Sequence, residues 1–133
     1  LTWRRFRVHH DESVDPYGYH FNPGKEASFI HSGDSGPCDS LYDEMAQTSM
    51  AILEMGLPEW VESDHHHKPS DVEKIAKQLP ELPMIITHTY IDEPQENRTP
   101  TVTDAFPHHP SNVFHARDEL RLSWDGLKWN IID

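Results

Sequence analysis

The sequence of 133 residues contains a single cysteine, Cys38. One cysteine excludes an internal disulfide framework and a cysteine-rich zinc site. Together with the lack of a signal-peptide pattern, it favours an intracellular, reducing location. Basic residues are also few, since 11 Lys and Arg stand against 23 Asp and Glu, for a formal net charge of −12. Because phosphate binding depends on Lys and Arg, this charge disfavours nucleic acid as a partner.

Long apolar runs are missing too. No stretch approaches the roughly 18 residues that a membrane-spanning helix needs, so we expect no membrane span. Hydrophobic residues make up 35% of the chain, which is lean but sufficient for one core at this length. We therefore predict a single domain over residues 1–133. The first residue is Leu rather than Met, which predicts a processed chain or a fragment of a longer protein.

The clearest local pattern lies at the C-terminus, where residues 120–133 predict a β-hairpin closed by Asp125-Gly126. An Asp-Gly pair supplies the positive φ angles that a two-residue type I′ turn requires. This loop would place the apolar residues of both strands on one face. The predicted cross-strand pairs are Trp124 with Leu127, Leu122 with Trp129, and Leu120 with Ile131.

A main helix is predicted from about Ser40 to Met55, with Gly56 as its left-handed terminating residue. At about 100° per residue its apolar arc would cover roughly 200°, twice what a one-sided surface helix needs. A helix of that kind is covered on two sides, and in a small chain the second cover is expected to be another protein. The predicted partner-binding residues on this arc are Tyr42, Met50 and Leu53.

The remaining patterns predict an α+β fold. A capping-box pattern, Ser70 with Glu73, begins a second helix that Pro80 ends. Strands are expected near residues 2–8, 27–31, 84–91 and 119–132, and a long proline-rich loop over residues 92–112. We predict a small antiparallel or mixed sheet with a C-terminal β-hairpin and two helices packed on one face.

Histidine is the over-represented residue, with 11 copies, several of them adjacent. Neutral imidazole binds zinc, copper or nickel, but the side chains of consecutive histidines diverge and rarely reach one ion. Only His65 and His67 stand two residues apart, so these two are the candidate metal ligands and zinc is the candidate cofactor. The alternatives are a solvated loop without a physiological metal, or a pH-sensitive histidine cluster.

The segment Gly33 to Pro37 resembles the loop around the nucleophile of chymotrypsin-like serine proteases. The resemblance covers five residues and departs from that family at the second glycine. The chain is also too short for the two barrels of such a protease, and no separate base and orienting acid are evident. A Gly-Pro turn before a helix is therefore the preferred interpretation.

The candidate catalytic residue is His88, which would be a general acid or base if it faced a pocket. The competing interpretation is a hydrogen-bonded core histidine. Because no convergent catalytic motif is evident, the leading hypothesis is a non-catalytic protein–protein interaction subunit or accessory domain. Its acidic surface would meet a protein partner or a second copy of the chain. The alternative is a small hydrolase or lyase that uses His88 and the clustered histidines, with or without zinc.

Overall fold

The computed structural model describes residues 1–90, 106 and 108–132. They form a six-stranded mixed sheet, a two-stranded hairpin and two helices, which confirms the predicted α+β fold class. The strands of the large sheet are β1 Trp3–Arg7, β2 Tyr17–Phe21, β3 Phe29–His31, β4 Ala51–Glu54, β5 Met84–Thr87 and β6 Val113–His115. The hairpin strands are β7 Arg121–Trp124 and β8 Trp129–Ile132, and the helices are α1 Asp39–Met45 and α2 Pro69–Gln78.

The strands of the large sheet lie side by side in chain order, from β1 to β6. The pairs β1–β2 and β2–β3 are antiparallel, whereas β3, β4, β5 and β6 are mutually parallel. Helix α1 makes the crossover from β3 to β4, and α2 makes the crossover from β4 to β5. Since β1 and β3 both run against β2, five strands end at the same edge of the sheet. We call this the carboxyl edge.

One hydrophobic core joins the sheet to both helices. Its fully buried side chains from the sheet include Ile30, Leu53, Met84 and Ile86. The helices contribute buried apolar residues to the same cluster, namely Leu41, Met45, Val72, Ile75 and Ala76. The middle of the sheet is buried in this core, whereas the loops at the carboxyl edge lie outside it and carry polar side chains.

The prediction of a long helix from Ser40 to Met55 is wrong beyond Met45. The apolar run that seemed to continue it forms β4 instead, where Ala51 pairs with Ile30 on one side and Leu53 pairs with Ile86 on the other. A short apolar run does not distinguish a buried strand from a buried helix by periodicity, and the two neighbouring strands decide the matter.

The predicted interface residues consequently do not share an exposed surface. Met50 and Leu53 are only 2% and 0% exposed and face the core. Tyr42 is half-buried against the same core, and its hydroxyl donates to Nε2 of His67 (2.9 Å). The wide apolar arc on which the interface prediction rests belongs to a helix that is not formed.

The second helix is confirmed, but its N-terminal cap is shifted by two residues. The backbone N–H of Lys68 donates to the Asp71 carboxylate (3.0 Å), while Ser70 donates instead to Glu59. No helix within the described part of the chain is long and apolar enough to cross a membrane.

The C-terminal hairpin forms with a different register from the predicted one. Trp124 pairs with Trp129, so the loop spans four residues rather than two. The Asp125 carboxylate stabilises this longer turn by accepting from the backbone N–H groups of Leu127 (2.8 Å) and Lys128 (2.9 Å). The Trp129 indole N–H then donates to the carbonyl of Ser28 (3.1 Å), which ties the hairpin to the main sheet.

The strand predicted over residues 84–91 is also shorter than expected, because β5 ends at Thr87. Most of the loop predicted over residues 92–112 lies outside the described residues.

The packing predicts a strong contrast between two leucines. Leu53→Ala, at 0% exposure, should lower the free energy of unfolding by about 2–5 kcal/mol, because it leaves a cavity in the core. Leu127→Ala, at 89% exposure, is the matched control and should change it by less than about 0.5 kcal/mol. Urea unfolding followed by circular dichroism measures both, and equal losses would contradict the placement of β4.

Candidate metal centre

Polar side chains converge at the carboxyl edge of the sheet. Asp34 follows β3, Glu54 is the last residue of β4, and His88 follows β5. The loop between β4 and α2 brings His66 to the same place. In open sheets with parallel strands, ligands bind outside the carboxyl ends of the strands, so this edge is the natural position for a functional site.

Asp34, His66 and His88 form a compact group of metal-ligand type. Their three ligand atoms all lie within 4.8 Å of one another, and Oδ1 of Asp34 is 3.2 Å from Nδ1 of His88. Two ligands of one tetrahedral zinc ion, each at about 2.1 Å, lie about 3.4 Å apart. One carboxylate and two imidazoles are also donors that zinc accepts. The residues present therefore fit a metal ion.

The Glu54 carboxylate supports this group through a hydrogen bond with His66. It is 1% exposed and accepts four hydrogen bonds. Its Oε1 accepts from Nδ1 of His66 (2.6 Å) and from the backbone N–H of Ser35 (2.9 Å). Its Oε2 accepts from the backbone N–H groups of Gly56 (2.7 Å) and His67 (3.3 Å). One side chain thus joins three separate segments.

Two opposing effects act on this carboxyl group. Burial raises the pKa of Glu54, because removal from water disfavours the charged form, while the hydrogen bonds from Gly56, Ser35 and His66 oppose the rise. Four N–H groups point at the Glu54 oxygens, so the carboxyl group acts as a hydrogen-bond acceptor in all four contacts. Since Nδ1–H of His66 donates a hydrogen bond to Glu54 and keeps its proton, Nε2 is the nitrogen left to bind a ligand. A carboxylate behind a metal-binding imidazole commonly fixes the tautomer in this way.

A second histidine at this edge has its tautomer fixed by a similar contact. Nδ1 of His10 donates to the backbone carbonyl of His65 (2.8 Å), so its Nε2 carries the lone pair. That Nε2 lies 4.0 Å from Oδ2 of Asp34, and the His10 and His66 rings are 4.8 Å apart. His10 therefore flanks the group of Asp34, His66 and His88.

The predicted catalytic candidate, His88, lies at this edge and not in the core. Its side chain is 55% exposed, so the competing interpretation as a core histidine is wrong. Its backbone adopts φ of 50°, a left-handed conformation that costs a non-glycine residue about 1–2 kcal/mol. Strain of this kind is often found at functional sites, where the surrounding structure maintains it.

The two predicted metal ligands, His65 and His67, have different environments. His67 is 0% exposed and both of its ring nitrogens are occupied, since Nδ1 donates to the carbonyl of Ser35 (2.7 Å) and Nε2 accepts from Tyr42. Burial lowers the pKa of His67. His67 is therefore a core histidine and not a metal ligand. His65 belongs to a separate group with His9 and Asp64.

Three residues of the site were not predicted from the sequence: Asp34, Glu54 and His66. A usable signal existed, because both carboxylates and His88 each come at or shortly after the end of a short apolar run. The signal depends on recognising those runs as parallel strands, and the second of them is predicted as a helix.

The fold is similar to that of several solved structures. The isothiocyanate hydrolase from Delia radicum gut bacteria superposes with a TM-score of 0.63 at 12% identity, over 87% of this chain and 51% of that one. The metallo-β-lactamase fold protein YhfI from Bacillus subtilis gives 0.62 at 18% identity, over 86% and 46%. A diphosphatase from the PhnP family gives 0.62 at 21% identity, over 92% and 43%.

These similarities show a shared fold, and the present chain spans about half or less of each of those structures. No protein-family model and no curated protein sequence matches the chain.

The leading hypothesis of a non-catalytic interaction subunit or accessory domain is wrong in this light. The structures that share the fold include a diphosphatase, an isothiocyanate hydrolase and human tRNase Z, which are catalytic proteins. The alternative, a hydrolase that uses His88 and clustered histidines, agrees better with them and with the side chains at the carboxyl edge.

The role of Glu54 in orienting His66 generates a prediction. Glu54→Gln places an NH₂ group against two of the four donors, so the side chain can no longer satisfy them all and holds the His66 ring less firmly. We expect zinc affinity to fall by about 10- to 100-fold, measured by competition with a chromogenic chelator. Glu59→Gln, a change to an exposed carboxylate that accepts from Ser70, is the control and should bind zinc as the wild type does. Unchanged affinity in Glu54→Gln would refute the orienting role.

Proposed function

We propose that the chain contributes to metal-dependent hydrolysis and that Asp34, His66 and His88 hold a zinc ion. The observation that carries the proposal is the convergence of these three side chains within 4.8 Å at the carboxyl edge, with Glu54 fixing one of them. The shared fold with named hydrolases supports it. Because the chain spans about half or less of those structures, the full activity is part of the proposal.

Zinc, when bound, supplies Lewis-acid chemistry that activates water for attack on an ester or related bond. The side chains of this chain do the rest. Asp34 brings negative charge to the group and lies 3.2 Å from His88. Glu54 keeps the proton of His66 on Nδ1, so that Nε2 stays available. His10 presents its Nε2 4.0 Å from Oδ2 of Asp34, at the margin of this group.

The substrate class follows from charge. The chain carries a formal net charge of −12, and only 11 Lys and Arg are present to neutralise phosphates. A long polyanion would be repelled and could release few counterions on binding. We therefore propose a small-molecule substrate rather than a nucleic acid, although one structure of similar fold is human tRNase Z.

Metal retention and hydrolysis should depend on the same residues. After dialysis against zinc-free buffer, the wild type should retain at least one more zinc equivalent than His88→Ala or Asp34→Asn, by plasma mass spectrometry. Hydrolysis of p-nitrophenyl esters of phosphate and of acetate should fall by about 100-fold or more, since the metal contributes several kcal/mol to the transition state.

The control is His108→Ala, an exposed histidine outside the carboxyl-edge group, which should retain both the metal and the rate. The proposal would be overturned if the wild type retained no zinc. It would also be overturned if His88→Ala and Asp34→Asn hydrolysed these esters as fast as the wild type.

A further inference from the structure

A second group of metal-ligand side chains lies beside the first and shares no residue with it. His9 comes from the segment after β1, whereas Asp64 and His65 come from the loop before α2. Nε2 of His9 is 3.1 Å from Oδ2 of Asp64, and Nε2 of His65 is 3.8 Å from Oδ1 of the same carboxylate. The three ligand atoms all lie within 4.8 Å of one another. One ion can therefore reach all three.

Contacts that do not involve the three proposed ligand side chains hold these two segments together. His9 and Gly36 form an antiparallel bridge, in which the N–H of Gly36 donates to the carbonyl of His9 (2.7 Å). Gly36 also packs directly on the loop, because a Cβ at this position would lie 1.6 Å from the carbonyl oxygen of Asp64. His10 donates to the carbonyl of His65. The three ligands are thus placed by the fold, which distinguishes them from a chance surface pair.

We propose that His9, Asp64 and His65 form a second transition-metal site, separate from the group of Asp34, His66 and His88. Two imidazoles and one carboxylate favour zinc, nickel or copper over magnesium or calcium, which prefer oxygen ligands. The Asp64 side chain is 77% exposed and the histidines are partly exposed, so the group lies at the protein surface. The existence of this site does not depend on the proposed hydrolysis, whereas its bracing role described below rests on the metal site of the proposed function.

The second site would brace the first one. Two histidines of the second site directly precede histidines at the first one. His9 precedes His10, and His65 precedes His66. The rings of His9 and His65 are 5.9 Å apart, and the His65 ring is also 5.9 Å from that of His10. An ion bound by His9 and His65 therefore restrains the two segments that present His10 and His66. The second ion would therefore have a structural role, which is to stabilise the first site.

Zinc titration of the full chain tests the proposal. Apo-protein prepared with a chelator is loaded with zinc chloride, and bound equivalents are counted after gel filtration. His9→Ala and Asp64→Asn should each bind one equivalent fewer than the wild type, with affinity at the lost site reduced by at least about 100-fold. His88→Ala should also lose one equivalent, and the double variant His9→Ala/His88→Ala should lose both.

The matched control is Glu62→Gln, a change to an exposed carboxylate on the same loop that belongs to neither group. It should bind zinc as the wild type does. Should His9→Ala fail to fold, Asp64→Asn still decides the question, because it changes an exposed side chain and keeps its shape. Unchanged zinc binding in Asp64→Asn would overturn the proposal. Complete loss of the equivalent at the first group in that variant would also overturn it, since the second ion is expected to brace the first site and not to complete it.

Thermal unfolding gives an independent readout. Zinc should raise the Tm of His88→Ala, in which only the second site remains, and should not raise the Tm of the double variant His9→Ala/His88→Ala. Magnesium at the same concentration should leave both Tm values unchanged. A zinc-induced rise of equal size in the two variants would contradict a site at His9.

Discussion

The buried Glu54 carboxylate is the constraint on which the carboxyl edge depends. Removing a carboxylate from water costs several kcal/mol unless its oxygens are fully satisfied. Here the donors come from Ser35 after β3, Gly56 after β4, and His66 with His67 before α2. Displacing any one of these segments would leave a buried acceptor without its partner. The loops that surround the candidate metal centre are therefore held in place by a single side chain.

Strand direction explains why the site lies where it does. Because β3, β4 and β5 are parallel, their last residues meet at one edge, and the crossover helices return the chain to the opposite edge each time. Asp34, Glu54 and His88 are far apart in sequence but follow three adjacent strands. Strand β1 ends at the same edge, which adds His10 to the group. The topology thus converts separated residues into neighbours.

Local patterns predict local features well in this chain, and the site is not a local feature. The fold class, the hairpin and the second helix follow from turn and capping residues, although the hairpin register shifts because Asp125 caps a longer turn. The long helix is wrong because β4 is an apolar run whose partners, β3 and β5, are distant in sequence. When β4 is predicted as part of a helix, Glu54 is not placed at the end of a strand, so its contact with His66 cannot be predicted. His88 is a candidate from the sequence alone, because it is a histidine in a predicted apolar strand. Its grouping with Asp34 and His66 follows only from the topology.

In the proposed site, Glu54 orients His66 so that it shares a zinc ion with Asp34 and His88. The most direct test is a crystal structure of the zinc-loaded chain, with anomalous diffraction collected on both sides of the zinc absorption edge. We expect a zinc peak at about 2.0–2.2 Å from Nε2 of His66, from Asp34 and from His88, with the Glu54 carboxylate still accepting from Nδ1 of His66. A zinc-loaded crystal with no anomalous peak between these three residues would contradict it.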